Sequence, residues 1–320
     1  MSAGWRGKIP NNDNRLPEER EMKKIGMVGI GLMGHGIATN ILKHDYSMVL
    51  FEHPGNQPLE ALIAAGATST ASLADLASQV DAIILCVTGT PEVEDVLFRE
   101  GGLLAGIKPG TVIIDCSTAI PSSTQRVAVE VEKRQAFFID APMTRTPKEA
   151  AEGRLNLTVG GRHDIYEKVL PILQTYTENV VYTGDIGSGH QLKLIHNFVS
   201  LGFSAVLAEA AACAKKAGIS PEVFLEVVGK GGGNSVVLER FRPFLANGDE
   251  NGFRFYISNA LKDMGYYTAM AQEMGAYYEN AESVRRTYET AKSVAAPQAT
   301  VPDLVTVLAG NAAQGTTTDQ

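Results

Sequence analysis

The chain has 320 residues, more than a single hydrophobic core usually holds, so two domains are expected. Its 44% hydrophobic and 20% charged content is that of an ordinary globular protein, and a net charge of −8 argues against a nucleic-acid or membrane-surface partner. No unbroken apolar run approaches the roughly 20 residues needed to span a bilayer. Residues 1–22 are polar, carry Pro10 and Pro17, and lack the apolar segment of a signal peptide, so a loose leader is expected; Trp5 within it has no account. Cys86, Cys116 and Cys213 have no metal-type spacing. They read as small core residues in a reducing cytoplasm.

The first element is organised around glycine. Ile25, Met27, Val28 and Ile30 form an apolar strand that runs into Gly29-x-Gly31-x-x-Gly34, and Met33, Ile37, Ile41 and Leu42 continue at helical spacing. Strand, tight turn and helix form the context in which this pattern predicts dinucleotide binding. Gly29 would permit the turn, Gly31 the approach of a pyrophosphate, and Gly34 close helix–strand packing. The helix N-terminus would favour the phosphates.

Tyr46 to Glu52 reads as a second strand. Glu52 lies about 20 residues beyond the glycines, where a carboxylate can accept bonds from the ribose hydroxyls. A 2′-phosphate calls for arginine instead, and none occurs between Arg20 and Arg99. NAD is therefore expected over NADP, against the alternative that Glu52 is a solvated strand end.

A helix closes over Ala61 to Gly66, and Ser72 reads as the N-cap of a helix from Leu73 to Ser78. Asp81 to Val87 and Thr111 to Asp115 are continuous apolar runs, the pattern of strands buried on both faces. Thr90-Pro91 and Pro121 open helices, and Phe137 to Asp140 is a further strand. Strands alternating with helices predict an α/β fold: a Rossmann-type, doubly wound parallel sheet over residues 23–186. Its ligands belong beyond the carboxyl ends of the strands, where Ser117-Thr118 and Ala141 to Thr146 fall. Leu155 to Gly160 and Val180 to Tyr182 read as short strands around a helix from His163 to Gln174. Asp140 reads as a strand-end cap rather than an acid catalyst.

From Gly187 the composition changes. An alanine-rich, apolar helical pattern without proline runs to Gly218 and is expected to be buried or to pack between subunits. Helices over 221–230, 235–247, 259–275, 280–293 and 301–308 would complete an all-helical C-terminal domain, 187–310. The small, polar tail 311–320 is expected to be disordered. Lys193 and Asn197 are four residues apart and share one face of the long helix. A lysine there is either functional or snorkels at the helix end.

Four ordered motifs then carry a resemblance. They are Gly31-Leu-Met-Gly34 with Ala38 and Asn40; Asp140-Ala-Pro-Met-Thr-Arg-Thr146 with Ala150, Gly153, Leu155 and Gly160-Gly161; Gly187-x-Gly-x-x-x-Lys193-x-x-x-Asn197; and Lys262-Asp263. Over residues 23–308 the chain resembles the β-hydroxyacid dehydrogenases, the group that includes 3-hydroxyisobutyrate dehydrogenase. The resemblance implies hydride exchange between NAD and a small 3-hydroxy acid. Lys193 would exchange the proton at the reacting oxygen, with Asn197 orienting it. Ser117 would hold the substrate carboxylate, with Thr144, His196 and Lys262 nearby. Gly29, Ile30, Gly31, Leu32, Met33, Gly34, Glu52, Val87, Thr88 and Thr118 would contact the cofactor. An unperturbed lysine, pKa about 10.4, is a poor base at neutral pH, so alcohol oxidation is expected to run best well above pH 7.

The family usually has Ser-Gly-Gly where this chain has Thr144-Arg145-Thr146. Arg145 offers a planar charged fork and is expected to read a second or bulkier anion, unless it turns outward to solvent. The sulfolactaldehyde and succinic-semialdehyde reductase branch looks similar here. The other classes open to this scaffold are imine reductases, which replace the lysine, and non-catalytic dinucleotide-binding relatives. The long apolar helix predicts a homodimer or homotetramer.

Overall fold

The computed structural model describes residues 22–310; the leader with Trp5 and the tail from Asn311 lie outside them. The first half alternates strands and helices: β1 (Lys24–Val28), α1 (Leu32–Leu42), β2 (Ser47–Phe51), α2 (Glu60–Ala64), β3 (Thr68–Thr70), α3 (Leu73–Gln79), β4 (Ala82–Leu85), α4 (Thr90–Phe98), α5 (Leu103–Gly106), β5 (Val112–Asp115), α6 (Pro121–Glu132) and β6 (Phe137–Asp140). Then come β7 (Met143–Thr144), α7 (Pro147–Ala151), β8 (Leu155–Gly160), α8 (His163–Leu173) and β9 (Thr177–Gly184).

The strand order is β3-β2-β1-β4-β5-β6-β8-β7, with β9 pairing β8. β3 through β6 are parallel. β8 runs antiparallel to β6 and β7. Strands β4 and β5, apolar apart from Asp115 at the end of β5, are fully buried because helices cover both faces. One core cluster lies on each face.

Four short elements escape sequence reading: β3, α5, β7 and α7. β3 carries no apolar alternation, and α5 is a single turn. β7 is two residues long and exists only because Met143 and Thr144 pair with Leu157 and Asn156. α7 is held by a capping box between Thr146 and Glu149. β9 is also longer than its apolar residues suggest.

The second half is helical: α9 (Ser188–Lys216), α10 (Pro221–Lys230), α11 (Val236–Asn247), a 3-10 turn (Glu250–Phe253), α12 (Ile257–Glu273), α13 (Glu279–Val294), a second 3-10 turn (Val301–Asp303) and α14 (Leu304–Gly310). Ser72, Ser220 and Ser235 each accept a backbone N–H at the start of their helices. The helical core gathers Leu201, Ala208, Leu238, Phe241, Met264 and Tyr288 against α9.

Two expectations change here. α9 is long and apolar enough to cross a membrane by length and composition, which scattered polar positions hid in the sequence. Half of its apolar stretch is buried inside the protein, so it is a core helix. Cys213 is exposed near the end of α9, not a core residue, because it follows Ala211 and Ala212 round onto the solvent side of the helix; Cys116 is buried and Cys86 half-buried.

Candidate active site

The glycine turn has the predicted form. Gly29 adopts φ +91°, and a Cβ there would collide with the Cys86 carbonyl. A Cβ on Gly34 would collide with the Gly29 carbonyl, so α1 packs against the turn as only glycine allows. Above Gly31 there is nothing within 4 Å. Gly31 is also the N-cap of α1, and no side chain caps that helix. Open space over uncapped amides is the environment a pyrophosphate needs.

Asn56 fixes this loop, and sequence reasoning missed it. Its Oδ1 accepts the Ile30 N–H at 3.2 Å and its amide donates to the Phe51 carbonyl at 2.9 Å. Glu52 stands exposed at the end of β2 and accepts the Ser69 hydroxyl at 2.6 Å. With His53, Asn56 and Pro58 it lines an open hollow of about 560 Å³. Arg99, distant in sequence, lays its guanidinium 5.7 Å from the Phe51 ring centroid while binding Asp95. An arginine therefore does stand near this strand end, and sequence spacing could not show it.

At the carboxyl ends of β4 and β5, Ser117 is 3% exposed. Its hydroxyl accepts the Val87 N–H at 3.1 Å and its own N–H donates to Asp115 at 2.9 Å. Ser117 thus locks two strand ends together. Thr118 is half-buried. Its hydroxyl makes no hydrogen bond among the described residues.

The N-terminus of α9 is sewn into the sheet. Asp140 accepts the Gly187 and His190 N–H groups, both at 2.7 Å, so it caps as expected. The buried His190 ring meets Thr124 at 2.8 Å and the Ser117 carbonyl at 3.2 Å. A carbonyl only accepts, so Nε2 carries a proton. His190 therefore sets one face of α9 over Ser117, and Lys193 follows one turn later on that face.

Lys193 is half-buried, and its amine has no hydrogen-bond or ion-pair partner among the described residues. Burial pulls its pKa down to about 8, with Lys262 and Arg240 acting in the same direction and Asp263 opposing them. Asn197 does not bond the lysine directly. Its amide donates to Asp263 at 2.7 Å and its oxygen meets His196 at 3.1 Å. Asp263, 2% exposed, is thus the anion nearest the lysine, a role the Lys-Asp motif alone did not reveal. Burial also lowers the His196 pKa. Lys262 bonds the Thr88 carbonyl across the two domains and lies 3.2 Å from Asp263. The Tyr266 hydroxyl accepts the Thr90 N–H beside it at 3.2 Å.

Arg145 departs from expectation. Its Nη1 donates to Glu178 of β9 and to the Arg154 carbonyl, so the charge is already paired and one arm of the fork committed. Its backbone still holds φ +84°, the conformation of the glycine it replaces. Thr144 pairs with Asn156 in the sheet, and Thr146 caps α7.

Residues 24–184 match the family described as the NAD binding domain of 6-phosphogluconate dehydrogenase. Residues 187–308 match the NAD-binding domain of NADP-dependent 3-hydroxyisobutyrate dehydrogenase. A 2-(hydroxymethyl)glutarate dehydrogenase from Eubacterium barkeri is 32% identical over 76% of this chain and 80% of its own. An NAD-dependent L-serine dehydrogenase from Pseudomonas aeruginosa is 31% identical over 70% and 74%. The crystal structure of a 3-hydroxyisobutyrate dehydrogenase from Salmonella typhimurium superposes with a TM-score of 0.79 at 26% identity, covering 89% of this chain and 99% of that one. The fold agrees with these matches: the chain belongs to the β-hydroxyacid dehydrogenase family and is an NAD(P)-dependent oxidoreductase acting on a CH–OH group.

Proposed function

We propose that the protein exchanges hydride between NAD and a small 3-hydroxy acid carrying a carboxylate or sulfonate, with Lys193 as the proton acceptor in oxidation and donor in reduction. The observation that carries this reading is the unpartnered, half-buried Lys193 amine with its pKa at about 8. Such an amine is a competent acid just below that pH and a competent base just above it. The bound nicotinamide supplies the hydride chemistry. The protein's part is to hold the substrate acid near Ser117 and Thr144 to Thr146, and to set the reacting oxygen against Lys193. Asn197 and Asp263 fix the lysine's surroundings, and Lys262 with Tyr266 clasps the Thr88–Thr90 turn.

Glu52 at the β2 end favours NAD, since its carboxylate would repel a 2′-phosphate; Arg99 is the residue that would weaken this preference. The test is NADH and NADPH oxidation with a panel of small semialdehydes, sulfonates included, in wild type and Lys193→Met. Turnover with NADH that disappears in the variant supports the reading. An undiminished variant overturns it. Exposed Leu192, Ile195, Val199 and Val206 on α9 fit a second copy of the chain, as a homodimer or homotetramer would supply. Light scattering coupled to chromatography tests that assembly. Three free thiols fit a reducing cytoplasm.

A further inference from the structure

Arg240, which no motif marks, stands in the cleft near the lysine. It lies on α11 with its guanidinium 5.4 Å from the Phe253 ring centroid. Phe253 is buried, so the stack gives the side chain a fixed seat. Among the described residues the guanidinium has no hydrogen-bond or ion-pair partner. Arg99, Arg126, Arg145, Arg154, Arg162, Arg242 and Arg285 all bind a carboxylate.

Its surroundings say where it faces. The Arg240 charge acts on Lys193 and His196 of α9 and on Glu149 of α7. The Oε2 of Glu149 is already committed to the backbone N–H and hydroxyl of Thr146. Arg240 is therefore within electrostatic reach of both the lysine and the Glu149 that holds Thr146, and it is half-buried on its Phe253 seat. A planar cation held in a cleft without a partner is poised for an anion brought from outside. The Arg145 charge, by contrast, is already paired with Glu178.

We propose that Arg240 reads a second anionic group at the far end of the substrate, so that hydroxy acids with two acid groups are preferred over those with one. The proposal rests on the dehydrogenase reading above and names its substrate class. The second group is a carboxylate or a sulfonate, both of which match the guanidinium fork.

The test is binding to the NADH-loaded enzyme, which requires no turnover. Glutarate and 3-sulfopropanoate probe the two-anion class, with butanoate as the one-anion control, in wild type, Arg240→Gln and Arg240→Lys. A charge-assisted pair to a partly buried guanidinium predicts that wild type prefers the two-anion ligands by about 30-fold. The Arg240→Gln variant should lose that preference, and Arg240→Lys should keep part of it. Comparing glutarate with 3-sulfopropanoate distinguishes carboxylate from sulfonate. In parallel, the ratio of kcat/KM for 2-(hydroxymethyl)glutarate to that for 3-hydroxyisobutyrate should collapse in Arg240→Gln. A wild type without preference, or a preference that survives in Arg240→Gln at an unchanged Tm, overturns the proposal. Failure to bind NADH at all would instead remove the dehydrogenase reading itself.

Discussion

Two consecutive stretches of α9 treat polar groups in opposite ways. In the first turn nearly every buried group is paired: Asp140 takes two helix amides, and His190 bridges Thr124 and Ser117. One turn later the Lys193 amine and, across the cleft, the Arg240 guanidinium have no bonding partners among the described residues. The first stretch fixes the helix to the sheet. The second leaves two cations waiting. A satisfied buried network is a structural device, whereas unpaired charge in a cleft is what a reaction needs. Asp115 of β5, 3.9 Å from the His190 ring, is the exception beside the first stretch. One of its oxygens lacks a hydrogen bond, and burial, as the dominant influence, raises its pKa.

This comparison can be broken most directly at Lys193. Lys193→Met should cut kcat about 1,000-fold, within the range of general acid–base catalysis, while raising Tm by a few degrees because an unpaired amine leaves a half-buried site. A melting temperature that falls would show that the lysine is structural after all. Asp140→Ala should do the reverse. Two charge-assisted bonds disappear from a fully buried group, so about 3 kcal/mol of stability should be lost in denaturant unfolding; an unchanged midpoint denies that this end of α9 is the anchor.

The pH profile sharpens the same contrast. Lys193 must be neutral to accept a proton, so kcat/KM for alcohol oxidation should rise about tenfold per pH unit below a midpoint near 8 and level off above it. Reduction needs the protonated amine and should decline above the same midpoint. Oxidation should still run best well above pH 7, with the plateau reached sooner than an unperturbed lysine would give. A profile flat from pH 6 to 10 would remove Lys193 from the proton transfer. The smallest effect belongs to Arg145→Gly. Its guanidinium serves an exposed ion pair, worth roughly 0–1 kcal/mol, and glycine suits φ +84°. Turnover should stay within about threefold of wild type, since ion pairs of that strength move rates little. A larger loss returns Arg145 to the substrate site.

Much of the architecture was legible because it rests on local rules. Gly29, Gly31 and Gly34 at that spacing, the apolar runs of β4 and β5, and the serine cap of α3 specify strand, turn and helix from neighbours in the chain. The elements that stayed hidden, β3 and β7 above all, depend on pairing across the sheet, which no local pattern encodes. The site divided in the same way. Lys193 and Asn197 are a helical spacing apart and could be found together.

The sequence by itself determined the dinucleotide turn, the alternation of strands and helices, and the lysine on the long helix, because each follows from backbone geometry within one or two turns. Only the tertiary structure decided which charges are spent and which are free. It paired Arg145 with Glu178, brought Arg99 to the end of β2, set Asp263 beside Asn197, and left Arg240 stacked on Phe253 without a carboxylate among the described residues. Electrostatic pairing depends on distance in space, and residues far apart in the chain become partners only when helices and strands have packed.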